Sequence, residues 1–460
     1  LTAGPLRATL PPSNLTGVYM IWGKAAALAA CSMAALVAVS APAVMAKDVV
    51  VHAGRMIDGT GAAAREKVSI LIHDDRITAI QSGFVTPAGA EVIDLSAKTV
   101  LPGLIDTHDH ITAGWHSGDP IRNAVTRSAY EDAIEATGFV RNTLLAGFTS
   151  VRDCGADTQV IVALKKSIDG AVIPGPRLWV AGTPLGPTGG HGDAVNGLRV
   201  EFADIPHISD NVIDSPEAAR IAVRRLKREG ADLIKIMPSG GVMSIGDDPK
   251  HQLMTDEEIK AVIDTAHSLG MKVAAHAHGK EAIDHTIALG VDSIEHGSYA
   301  DAGSYKIFKQ YGAYLVPTML VGERVYQRAR EHPEQLNPST AEKALVIGPL
   351  LQKNLRDAYA AGVKIAFGTD TFGLSDHGEN AQEFALMVRA GMPAMEAIKA
   401  ATANAADLLG SADVGTLQAG RYADLIAVDG DPLADVRQLE KVGFVMKGGA
   451  VVKADGKPMI

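Results

Sequence analysis

Between Val100 and Asp370 the chain passes eight times through a strand-like and then a helix-like segment, and few folds accommodate that pattern. The strand candidates are Val100–His110, Thr149–Asp153, Arg177–Ala181, Asp232–Met237, Lys272–His276, Asp292–His296, Ala313–Pro317 and Val363–Asp370. Helical stretches separate them. Ser215–Glu229 follows Asp214-Ser215-Pro216-Glu217, and Thr255–Leu269 opens on Thr255-Asp256-Glu257-Glu258, a capping box in which side chains satisfy the first free backbone amides. An open doubly wound sheet could carry the same alternation, but no GxGxxG turn follows an early strand. Eight units are the count of a (β/α)8 TIM barrel, an α/β fold predicted here over residues 99–413.

Both flanks read differently. Val49-Val50-Val51, Val68–Ile72, Ile77–Ile80 and Glu91–Asp94 are short β-like runs separated by Gly, Asp and Pro turns. The pattern returns in Asp424–Val428 and Val442–Met446, so residues 47–98 and 414–460 are expected to form one small β-sandwich domain. Residues 1–46 read as a leader. Met20 and Lys24 precede an apolar run from Ala25 to Val39, and Val44-Met45-Ala46 places small residues where a signal peptidase cuts. The run is too short and Ala-rich for a stable membrane span. Leu28-Ala29-Ala30-Cys31 resembles a lipobox, but the apolar stretch continues past Cys31, so cleavage after Ala46 and a periplasmic or secreted enzyme are expected instead.

Composition narrows the partners. The net charge is −10 and the basic residues are scattered, which argues against nucleic acid and for a small-molecule substrate. With only Cys31 and Cys154 there is neither a disulfide framework nor a CxxC zinc site, so any metal must rest on histidine and oxygen ligands.

Barrel enzymes carry their working residues at the C-terminal ends of strands. His108 and His110 close the first candidate strand, and alternation puts both rings on one face. His276, His296 and Asp370 end the fifth, sixth and eighth, and Lys235 lies in the fourth, in phase with Leu233 and Met237. A lone histidine at a strand end is more often a core residue than a ligand, but six such positions on one barrel are hard to explain that way. An ammonium at Lys235 beside two cations is disfavoured by repulsion and desolvation. Carboxylation by CO2 reverses its sign and supplies two oxygens.

These residues resemble the amidohydrolase superfamily over essentially everything after Lys47. Leu101-Pro102-Gly103-Leu104-Ile105-Asp106-Thr107-His108-Asp109-His110 is similar to its opening motif, and Ala423–Val428 with Asp431-Pro432-Leu433 to its closing one. The strand-four lysine, the isolated histidines and Gly368-Thr369-Asp370 fit the binuclear, carboxylated-lysine subtype. The resemblance implies that His108, His110 and Asp370 hold one divalent metal, His276 and His296 the other, and carboxylated Lys235 bridges them. Zinc suits such nitrogen and oxygen donors, and manganese or cobalt would serve the same chemistry. Thr188–Gly192, Ser239–Val242, His276–Gly279, Glu295–Tyr299 and His377–Asn380 resemble the carboxypeptidase and Xaa-Pro dipeptidase (prolidase) group, whose relatives include ochratoxin amide hydrolases.

That group implies cleavage of the amide to a C-terminal amino acid in dipeptides or N-acyl amino acids. A metal-bridging hydroxide would attack the carbonyl, and Asp370 would carry its proton to the departing amine. His191 and Tyr299 would grip the substrate carboxylate, His278 would touch substrate or support its neighbours, and His377 is a weaker candidate. Relatives of this kind often form symmetric multimers, so a homo-oligomer is expected. The rivals are a mononuclear imidazolonepropionase- or deaminase-like hydrolase, which would lack the strand-four lysine, and a metal-free binding protein, which should have lost ligands.

Overall fold

The computed structural model describes residues 47–114, 126–205 and 207–460. The leader expected over 1–46, with Cys31, lies outside them. Among the described residues no helix is long and apolar enough to cross a membrane.

Val- and Ile-rich runs form strands because branched side chains pack well on a pleated surface. β1 (Asp48–Met56), β2 (Arg65–His73), β3 (Arg76–Ser82) and β4 (Glu91–Pro102) come from the first flank. They share one eight-stranded sheet with four strands from the other end of the chain, in the order β16-β15-β14-β13-β4-β1-β2-β3. Those four are β13 (Leu425–Val428), β14 (Phe444–Lys447), β15 (Ala450–Ala454) and β16 (Lys457–Pro458). The two-residue side-chain period gives this sheet two apolar faces. Leu425, Ala427, Phe444 and Met446 enter a core of the sheet's own. Their neighbours Ile426, Val428 and Val445 enter the large core shared with the αβ segments.

The αβ segments carry two parallel sheets, β5-β6-β7 and β12-β11-β10-β9-β8. Their strands are β5 (Leu104–Asp109), β6 (Phe148–Asp153), β7 (Arg177–Val180), β8 (Leu233–Ile236), β9 (Lys272–Ala277), β10 (Ser293–His296), β11 (Tyr314–Val316) and β12 (Lys364–Ile365). Parallel bridges Leu185–Ile236 and Asp109–Thr371 join segments at the edges of the two sheets. The arrangement is a TIM-barrel-type α/β fold. Every predicted barrel strand has a counterpart; six agree to within one residue at each end, and two differ by more.

Val100–His110 is not one strand. It breaks at Gly103, where the bonding changes partner from Asp424 O, which accepts from Gly103 N, to Gly147 O, which accepts from Leu104 N, so Val100–Pro102 stays in the eight-stranded sheet while Leu104 starts β5. Val363–Asp370 is strand only over Lys364–Ile365. Beyond it the chain is held against β5 by irregular bonds, with Thr107 N donating to Phe367 O and Asp370 N to His108 O.

The predicted helices appear as Pro216–Glu229 and Asp256–Ser268. The Ser215 hydroxyl accepts from Ala218 N, Pro216 occupies the first turn, where no amide is needed, and Gly230 ends the helix at φ 113°. Thr255 and Glu258 form the reciprocal capping box.

Candidate metal and substrate site

The strand ends converge on one cavity of about 310 Å³. Its polar side carries His108, His110, His191, Lys235, His276, His278, His296 and Asp370. Its opposite walls are apolar, with Met237, Val242, Met243, Val321, Val325, Ile347, Leu351 and Phe372.

Each ring is oriented by a hydrogen bond at one nitrogen, which turns the other toward its neighbours in the site. His108 Nδ1 donates to Glu295 Oε2 at 2.7 Å, and His110 Nδ1 to Gly155 O at 2.7 Å. Thr318 gives its hydroxyl proton to Pro317 O and therefore accepts from His296 Nδ1, at 2.6 Å. His276 Nε2 donates to Gly240 O at 3.2 Å, and His278 Nδ1 meets Ser298 Oγ at 2.7 Å. Turned in this way, His108 Nε2 and His110 Nε2 lie 3.5 and 3.2 Å from Asp370 Oδ1. Asp370 is thus held between two imidazoles, and His108 Nε2 also faces Lys235 Nζ at 3.3 Å.

Electrostatics favours the same reading. Burial, with Lys235 nearby, pushes His108 down to about 4, and burial beside His191 takes His278 to about 3. Burial and repulsion between neighbouring rings hold His276 and His296 well below the usual imidazole value. Neutral imidazoles are the form that ligates a metal. His110 moves the other way: burial lowers it, but the bond to Asp370 and the charges of Asp370 and Asp153 together raise it net. Burial raises Asp370, yet His108 and His110 bring it net below the usual carboxylate range. His108, His296 and Asp370 offer ligand atoms within 4.8 Å of one another, as do His276, His278 and His296. The donor set fits divalent cations, and His296 belongs to both groups.

Lys235 points into this cluster. It is 1% exposed, and its Nζ lies 3.3 Å from His108 Nε2. Among the described residues no carboxylate forms an ion pair with it.

His296 (φ 70°), Thr318 (φ 48°) and Asp370 (φ 56°) are non-glycine residues in the left-handed region, where such strain persists only if the surroundings impose it. Three elements of the site thus turn sharply at the strand ends.

His191 lies in the turn after β7, its ring 4.3 Å from that of His276 and its Nδ1 2.9 Å from Ser244 Oγ. Burial takes it to about 4 against the opposing pull of Asp247. Tyr299 is not brought to the cavity. Its predecessor Ser298 meets His278, and Tyr299 itself lines a separate cleft with Lys250, Lys280 and His285. His377 lies behind the site, its Nε2 donating to Ala113 O at 2.8 Å.

Sequence reasoning passed over Glu295. Buried on β10 immediately before His296, it accepts from His108 through Oε2 and from Arg152 through Oε1 at 2.9 Å. Arg152 holds it down to about 2 despite the upward push of burial. A buried charge pair reaching from β6 to β10 has no local signature, although an acidic residue inside an apolar strand was a hint. Glu295→Gln is expected to weaken divalent-metal affinity about 10- to 100-fold, read by titration against a competing chelator. Unchanged affinity would show that Glu295 does not orient His108.

Buried neutral imidazoles, a carboxylate and an inward lysine at the strand ends of a TIM-barrel-type fold define the metal-assisted hydrolase class. Residues 99–452 match the amidohydrolase family, and the chain belongs to it. Ochratoxinase of Aspergillus niger is 33% identical over 433 residues, 89% of this chain and 88% of that protein. A Xaa-Pro dipeptidase with bound methionine in its active site superimposes with a TM-score of 0.85 at 38% identity, covering 89% of this chain and all of that one. Imidazolonepropionase of Deinococcus deserti matches at a lower 27% identity, over 82% of this chain and 90% of that protein.

Proposed function

We propose that this hydrolase removes a C-terminal amino acid from dipeptides or N-acyl amino acids at a binuclear centre. The observation that carries the reading is Lys235, buried 3.3 Å from His108 Nε2 among the imidazoles, with no carboxylate in ion-pair contact among the described residues. A buried ammonium repels divalent cations, and a carbamate on its nitrogen would reverse that sign and offer them two oxygens. His108, His110 and Asp370 would hold one ion, His276 and His296 the other, with carboxylated Lys235 between, and zinc suits these donors. When bound, the ions would supply an activated water and a polarised carbonyl.

The chain's own groups do the rest. Asp370 is placed to take a proton and return it to the departing amine. Ser244 directs its hydroxyl proton to Asp247 and so accepts from His191 Nδ1, and His191 Nε2 would hold the substrate carboxylate as the N–H of an imidazolium, the form that Asp247 and the incoming carboxylate both favour. His278 flanks it, and the apolar walls exclude water. Tyr299, which the sequence pairs with His191, reaches this carboxylate only if its loop moves. The likeness to a Xaa-Pro dipeptidase and to ochratoxinase makes dipeptides and ochratoxin-like amides the first substrates to try.

A closed eight-strand barrel over 99–413, a small β domain from 47–98 and 414–460, export after loss of 1–46 and a homo-oligomer complete the proposal. A mononuclear imidazolonepropionase-like enzyme is the second reading, and it leaves Lys235 unexplained.

The test is a series of N-acetyl amino acids and dipeptides varied at the C-terminal residue, with and without chelator and with metal counting. Chelator-sensitive release of the C-terminal amino acid and close to two ions per chain are expected. Turnover indifferent to chelator, or one ion per chain with activity only on cyclic amides, would refute the proposal.

A further inference from the structure

His191 does not stand alone in its turn. Its Nδ1 meets Ser244 Oγ, and that hydroxyl lies 2.7 Å from both carboxylate oxygens of Asp247, whose side chain is 1% exposed. Lys343, on the helix Pro338–Ala360, closes the chain of contacts. Its ammonium donates to Gly241 O at 2.7 Å and to Ser244 O at 2.6 Å, and lies 3.3 Å from Asp247 Oδ1. The loop so held packs directly on the imidazole: a Cβ at Gly241 would lie 2.4 Å from His191 Nδ1.

We infer that Ser244, Asp247 and Lys343 form a positioning device that sets the His191 ring and so determines the preference for substrates ending in a free carboxylate. The inference rests on the reading that His191 holds that carboxylate. Three features support it. Ser244 must spend its one proton on Asp247, so the ring keeps the hydrogen of Nδ1 turned to the loop and its orientation is fixed. Lys343 is tied to backbone carbonyls as well as to Asp247, so it sets the course of the loop as well as balancing a charge. The helix that carries it also walls the cavity through Ile347 and Leu351, and the loop it grips contributes Val242 and Met243. One ammonium thus ties two walls of the cavity to the ring that reads the substrate's end.

A role confined to folding would weaken all substrates alike, whereas this one acts on those with a carboxylate. The probe pair is the fastest substrate of the N-acetyl amino-acid series and its primary amide, which keeps the scissile bond and removes the charge. For Ser244→Ala, Asp247→Asn and Lys343→Met, KM for the acid is expected to rise about tenfold, so that the preference for acid over amide falls by the same factor. Ser244→Thr, which keeps the hydroxyl, should restore it, and circular dichroism checks that each variant is folded. His191→Ala tests the underlying reading. If it leaves the preference intact, or if the unaltered enzyme has none, that reading and the inference fall together. If His191→Ala abolishes the preference while the three positioning variants keep it, or lose activity on acid and amide equally, the inference alone is overturned.

Discussion

Asp370→Asn is expected to lower kcat by about 10³- to 10⁴-fold, with KM for a dipeptide little changed. The carboxylamide keeps the shape of the side chain and one oxygen for a cation, but it cannot take up a proton and pass it on. The backbone does not confound the experiment. Asp370 sits at φ 56°, and asparagine is as much at home in that region as aspartate. Asp370 Oδ1 lies 3.2 Å from His110 Nε2, and the same contact can be made by the amide oxygen of the variant. A folded Asp370→Asn enzyme that retains a large part of the original kcat would remove Asp370 from the proton path. It would leave its place among the metal ligands to be judged by metal content.

Lys235 gives the second large effect. Lys235→Ala is expected to cost about 10³-fold in kcat/KM and to lower the bound metal. Short carboxylic acids such as acetate should recover part of the activity, because they can place two oxygens where the carbamate stood. Lys235→Arg should be as inactive and beyond rescue, since a guanidinium stays cationic and cannot be carboxylated under these conditions. In the unaltered protein, ¹³C-labelled bicarbonate should give a carbamate carbon resonance that the alanine variant lacks. A Lys235→Arg enzyme that works, or the absence of that resonance in active protein, sinks the proposed centre. The surroundings make this test sharp. Lys235 is 1% exposed, so a long cationic replacement has no route to solvent.

Much of this molecule could be read before it was folded. Ser215 and Thr255 announce their helices because a cap is local: the side chain and the amides it satisfies lie within three residues. His108, His110, Lys235, His276 and His296 were legible for a related reason. Strand alternation fixes which face a residue occupies, and the fold type fixes which end of the strand carries chemistry. What failed was whatever depended on a distant neighbour. The strand breaks at Gly103 because its bonding passes from Asp424 to Gly147, and Asp370 lies beyond a two-residue strand because its segment bonds irregularly to β5. Tyr299 was grouped with His191 by motif, yet in the turn after His296 Ser298 faces His278 while the tyrosine lines a separate cleft.

The sequence by itself determined the alternation of strand and helix, the caps, the β-rich flanks and the identity of the donors at the strand ends, since each depends on residues near one another in the chain. Only the tertiary structure decided which donors meet, that Glu295 and Arg152 stand behind His108, and that Ser244, Asp247 and Lys343 stand behind His191. Those contacts join residues up to 187 positions apart, as His108 and Glu295 are. Their geometry follows from the packing of a shared core, which no local pattern encodes.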